Sequence, residues 1–156
     1  MLIIADLLPQ LTSKLESFDL FFTAEIGEKG IQALIKTFSS LPSTLTSLMF
    51  NIQACDLGAS RIYECIKGLP SGLLKIYLDL NGTRMTSKGA AFIGKSLSLL
   101  PASLTFLKLD LSRNQIGDEG LISSAQNLRK GLTSLNLTVS DCSIVRWSYR
   151  NCKLLG

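Results

Sequence analysis

The chain has 156 residues, 46% of them apolar, with 12 glycines, four prolines and no histidine. A chain of that size and composition buries a continuous core, which argues against disorder, and the missing histidine removes the commonest general base, triad partner and zinc ligand. Net charge is +4 and the sequence pI near 9.0, which raises nucleic acid or an anionic surface as an alternative partner, but Lys36, Lys67, Lys88, Lys95, Arg129 and Lys130 are scattered over predicted helices and links without the aromatic interleaving that stacks bases.

In chain order, the opening MLIIADLL has no basic leader, meets Asp6 early and reaches Pro9 soon after, so it reads as packing at the end of a domain, not as a signal peptide. Residues 1–40 form an irregular first copy or cap around LESFDLFFTAEIGEKG, with a helical stripe at Ile31, Leu34, Ile35 and Phe38. Regular repeats are expected from 41 to 144. Their leading leucines, Leu8, Leu41, Leu69, Leu100 and Leu128, step by 33, 28, 31 and 28 residues, and the first four are each followed by one of the prolines, with Arg129 in that place in the last copy. Self-similarity at such a period marks a solenoid whose units bury their apolar faces on one another.

Each copy specifies the same elements. Three apolar residues at period two predict a strand with one buried face: Leu48, Phe50, Ile52; Ile76, Leu78, Leu80; Leu107, Leu109, Leu111; and Leu135, Leu137, Val139. A slot follows, filled by Cys55, Thr83, Asn114 and Cys142, then an apolar plug at Leu57, Met85, Ile116 and Ile144. The slot side chain must satisfy inward-facing backbone groups of the turn, which asparagine does for both donors and acceptors and the thiols and hydroxyl do more weakly. Helical stripes come next, at Ile62, Cys65, Ile66 and Leu69, at Ala90, Ile93 and Leu97, and at Leu121, Ala125 and Leu128. Proline then suits the link from helix back to strand, where it ends the helix and donates no hydrogen bond. Residues 145–156, VRWSYRNCKLLG with Arg146 to Arg150, depart from the frame and read as a cap or as a truncated repeat.

These features predict an α/β solenoid of one domain over 1–156, with parallel strands on a concave side and helices on a convex side. The stretch LKLDLSRNQIGDEG and the helix after it resemble the ribonuclease-inhibitor-like class of leucine-rich repeats, over about residues 8–144. The LP-x-x-L-T-x-L opening further resembles repeats of Legionella-type effectors, which intracellular bacteria deliver into host cells. The resemblance implies a horseshoe that cups a globular protein partner, as monomer or heterodimer, and covers an active site, so that an enzyme is inhibited or regulated.

Cys55 and Cys142 fill equivalent repeat slots, Cys65 lies on a predicted helix and Cys152 in the tail, with no C-x-x-C pair, so no metal is expected and free thiols suggest a reducing, cytosolic compartment. The uncharged run from Ser39 to Cys55 is broken by Pro42 and hydroxyl residues, and no apolar run is long enough to span a bilayer, so a soluble protein with no membrane contact is expected. No cofactor is called for, and an interaction protein is expected in place of an enzyme. The outward strand positions form the candidate site: Met49, Tyr77, Lys108 and Asn136 in one column, Asn51, Asp79, Asp110 and Thr138 in the next. Their variation from copy to copy contrasts with the constant frame, as in a binding face carried on a scaffold. Tyr77 is the natural anchor, offering apolar area and a hydrogen bond. Because these side chains point away from the core, changing them is expected to leave stability nearly untouched. Asp79 and Asp110 fall about 5 Å apart on neighbouring strands, which opens a paired-carboxylate hydrolase as an alternative, although an open sheet does not exclude water.

Overall fold

A computed structural model describes residues 14–22 and 26–145; the expectations for MLIIADLL, Pro9, the Arg146 to Arg150 segment and Cys152 fall outside those residues. Each alternating segment becomes a five-residue strand: β1 (Ser17–Phe21), β2 (Ser47–Asn51), β3 (Lys75–Asp79), β4 (Phe106–Asp110) and β5 (Ser134–Thr138). All neighbours pair in parallel, in the order β1-β2-β3-β4-β5, and among the described residues the sheet is open at both edges. Between them lie α1 (Glu28–Ser39), α2 (Ala59–Lys67), α3 (Ser87–Ser98) and α4 (Gly117–Gln126). The architecture is an α/β solenoid in which strand, turn and helix recur.

Register follows the repeat frame without a slip. Phe18, Leu48, Ile76, Leu107 and Leu135 lie side by side, and so do Leu20, Phe50, Leu78, Leu109 and Leu137. A one-residue shift would turn a whole apolar row to water, so the leucine columns pin the pairing. The third apolar residue of each segment, Ile52, Leu80, Leu111 or Val139, falls just past the strand end; the first three are fully buried there. On the other side of the core, Ile31, Leu34 and Phe38 of α1, Ile62, Cys65 and Ile66 of α2, and Ala90, Ile93 and Leu97 of α3 face the sheet. Phe38 meets Phe50 edge to face at 4.9 Å between ring centres, joining helix to strand across that core.

The fourth helix departs from its predicted stripe. In α4 the buried residues are Gly120, Leu121 and Ser124, while Ala125 and Leu128 are only partly covered. The reason is a close helix pair. Ser124 Oγ donates to Ala90 O at 3.2 Å and to Gly120 O at 2.9 Å, so a hydroxyl replaces an apolar contact between α3 and α4. Gly94 completes the approach: a Cβ there would lie 2.6 Å from Ser123 O.

The Leu-Pro links sit where the helices end, as the repeat frame implies. Pro42 and Pro101 each accept a hydrogen bond three residues on, from the N–H of Leu45 at 3.1 Å and of Leu104 at 3.1 Å. Where arginine stands in place of proline, its side chain ties the repeats together: Arg129 Nη1 donates to Leu100 O at 2.7 Å.

Candidate binding face

The turn slot beneath the sheet decides how firmly the face is held. Cys55, Thr83, Asn114 and Cys142 are all buried. Asn114 Nδ2 donates to Leu80 O at 2.8 Å, Leu111 O at 2.9 Å and Ser112 O at 3.2 Å, while its Oδ1 accepts from Met85 N at 2.9 Å. One amide thereby serves two adjacent repeats. Thr83 reaches Leu80 O at 2.9 Å, and the Cys142 thiol reaches Leu111 O at 3.1 Å, but neither replaces the full asparagine set. Burial raises the Cys142 thiol above its ordinary pKa; for Cys65 on α2, burial, aided by the Glu64 carboxylate, pushes it up to about 12. Both are packing residues, protonated at neutral pH.

On the outward side, Met49, Tyr77, Lys108 and Asn136 pair in one column, and Asn51, Asp79, Asp110 and Thr138 in the next. The second column has a structural duty that the pattern of residues conceals. Asn51 Oδ1 accepts from Gln53 N at 3.0 Å, Asp79 Oδ1 from Asn81 N at 3.0 Å and Asp110 Oδ1 from Ser112 N at 2.8 Å. Each side chain thus turns back on the backbone two residues on and caps the exit from its strand. Asp79 Oδ2 also accepts from Asn51 Nδ2 at 3.0 Å. Thr138 does not repeat the motif: Ser140 N donates to Ser112 Oγ at 3.1 Å instead. The expectation that all these positions are free of structural work therefore holds for neither aspartate, and the carboxylate pair is aimed at turns, not at a shared point between the strands.

A third outward column comes from the register and was missed by counting from the first buried leucine: Ser17, Ser47, Lys75, Phe106 and Ser134. One further step back at period two would have found it. Phe106 packs on Tyr77 with ring centres 5.0 Å apart and planes at 41°. Lys75 is the strand partner of Phe106 and Lys108 that of Tyr77. Two aromatics thus occupy one diagonal of a four-residue block and two exposed lysines the other. At the β1 edge, Asp19 pairs with Met49 and the exposed Phe21 with Asn51, extending the face.

The Leucine Rich repeat family matches residues 102–123, which run from the approach to β4 into α4. Among solved structures, the leucine-rich repeat-containing protein LegL7 from Legionella pneumophila superposes with a TM-score of 0.51 at 25% identity, over 80% of this chain. The fold is a leucine-rich-repeat solenoid. No curated protein matches the chain. The chain spans 38% of the length of the LegL7 structure, so the likeness concerns the repeats. Leucine-rich repeats generally mediate protein–protein interaction, through the extended surface that stacking creates.

Among the described residues no group of three or more His, Cys, Asp or Glu could hold a metal, and no helix is long and apolar enough to cross a membrane. Cys55, Cys65 and Cys142 are buried free thiols. The helical side carries exposed apolar side chains of its own, Phe92 on α3, with the Lys95 ammonium 5.5 Å from its ring centre, and Ile122 on α4.

Proposed function

We propose that this leucine-rich-repeat chain binds a protein partner over the outward face of its sheet, through Met49, Tyr77 and Lys108 with Asn136, and with Asn51, Asp79, Asp110 and Thr138 bordering the contact. The observation that carries this reading is the contrast within each strand. Inward positions repeat one apolar frame, whereas the outward block of Tyr77, Phe106, Lys75 and Lys108 places packed aromatic area and charge where the core has no use for either. Tyrosine is among the residues enriched at binding hot spots. The partner we favour is an enzyme whose active site the face covers, so that binding inhibits or regulates it. The setting we favour is that of an effector delivered by a bacterium into a host cytosol. Its support is the likeness to a Legionella repeat protein and the buried free thiols, which suit a reducing compartment.

Affinity capture from host-cell cytosol with quantitative mass spectrometry tests the reading, comparing the wild type with Tyr77→Ala/Lys108→Glu and with a helix-side control, Phe92→Ser/Ile122→Ser. A partner lost with the sheet variant and kept with the control supports it. Loss with the helix-side control alone contradicts it.

A further inference from the structure

We infer that the sheet face recognises an acidic segment of its protein partner, in which an aliphatic or aromatic side chain docks on the Tyr77–Phe106 pair and flanking carboxylates engage Lys75 and Lys108. This deepens, and rests on, the reading of the sheet as a protein-binding face. The register puts Lys75 beside Phe106 and Lys108 beside Tyr77, so the two lysines stand at opposite corners of the block that holds the tilted ring pair. Strands about 4.8 Å apart and alternate residues about 7 Å apart place all four side chains within one small patch, the footprint of a few residues of an extended chain or one turn of helix. Both lysines are exposed, and among the described residues neither makes an ion pair.

The acids that share the face lie outside this block, Asp79 and Asp110 on the side toward the turns. Asp79 is held by Asn81 N on its own strand exit and by Asn51 Nδ2 across on β2, and Asp110 by Ser112 N. Asp19 lies on β1, two strands from Tyr77 and three from Lys108. Within the four-residue block the two lysines are the only charged groups, with the Asp79–Asp110 column one step nearer the turns, so a basic segment docked on the rings would meet like charge at both corners. Single-stranded nucleic acid fits less well. Tyr77 and Phe106 pack against each other at a tilt of 41°, so they do not form successive platforms along a backbone track.

The test is selection of a random peptide library displayed on phage against the wild-type chain, followed by fluorescence anisotropy of the recovered peptides on folded variants. Recovered peptides should be rich in Asp and Glu around a Leu, Phe or Trp. Their affinity should fall at least about tenfold in Tyr77→Ala/Phe106→Ala and in Lys75→Glu/Lys108→Glu, and several-fold between about 50 and 300 mM salt. Replacing the acids of a recovered peptide by lysine should restore binding to Lys75→Glu/Lys108→Glu, a rescue that a misfolded variant would not give. Neutral or basic peptides that still require Tyr77 and Phe106 would overturn the acidic specificity and leave the sheet-face reading standing. Peptides indifferent to both double variants, or no recovered peptide at all, would overturn both. A fluorescent oligo-dT that binds more tightly than any acidic peptide and loses binding in the same variants would replace the protein partner by nucleic acid.

Discussion

Asn114 shows how much one side chain holds in a stacked architecture. Its removal strands Met85 N in a dry turn and leaves Leu80 O with only the Thr83 hydroxyl and Leu111 O with only the weak Cys142 thiol, and an unsatisfied buried group costs about 1–3 kcal/mol before relaxation. Asn114→Ala is expected to lose about 3 kcal/mol, a drop of roughly 9 °C in melting temperature, whereas Cys55→Ala at the equivalent slot is expected to lose less than half of that. Thermal unfolding followed by circular dichroism checks the ratio, and equal losses would contradict the role given to the amide. A gain is available where the frame lapses. Thr46, Thr105 and Thr133 donate their hydroxyls to the preceding repeat, at Glu16 O, Leu74 O and Thr105 O, but the third copy has Leu74 at that position, exposed. Leu74→Thr should add a hydrogen bond to Thr46 O and raise stability by about 0.5–1 kcal/mol. The Cys65 thiol adds a pH dependence: its folded pKa lies near 12 against 9.0 for an ordinary thiol, so the stability it contributes is complete below about pH 9 and declines as pH rises toward 12. Stability measured by denaturant titration should therefore fall across that window, and Cys65→Ala should flatten the slope. Asn114 could be read from the repeat frame because its chemistry and position coincide. The turns capped by Asn51, Asp79 and Asp110 could not, since a strand pattern says which face a side chain occupies and not whether it folds back on its own backbone.

At the scale of the elements, the strands were legible because a period of two admits one register with the leucines inside. Leu109 sits in the middle of β4, 1% exposed, so Leu109→Asp should unfold the array: an unpaired buried charge costs several kcal/mol, and a variant melting within about 2 °C of wild type would refute the register. Packing between helices was less legible. Leu121, Ala125 and Leu128 satisfy the helical period, yet α4 turns Ser124 inward, because a serine satisfied by two carbonyls fits where α3 approaches at Gly94 and Ala90. Gly94→Val is accordingly expected to cost at least about 2 kcal/mol by forcing α4 off α3, while β4 and its outward residues remain folded. Hydrogen exchange resolves the two effects: faster exchange confined to α3 and α4 is the expected pattern, and uniform acceleration would count against a local contact.

Across the whole molecule, a repeated scaffold and a non-repeated face are separable. The scaffold was visible in the sequence as spacing, down to the prolines at the helix exits. Most of the face was visible as variation at outward positions, but Phe106 and Lys75 were not, because the strand was counted from its first buried leucine. The aspartates were counted as free, and Asp110→Ala should instead destabilise by about 1 kcal/mol through loss of its turn. Lys108 carries no such duty and stands at the centre of the proposed contact. The most direct test of the account is therefore photocrosslinking with benzoyl-phenylalanine placed singly at position 108 on the sheet and at position 95 on α3, in the presence of host-cell cytosol. The account predicts one partner band crosslinked from position 108 and absent from position 95; the same partner captured from position 95 and not from position 108 would contradict it.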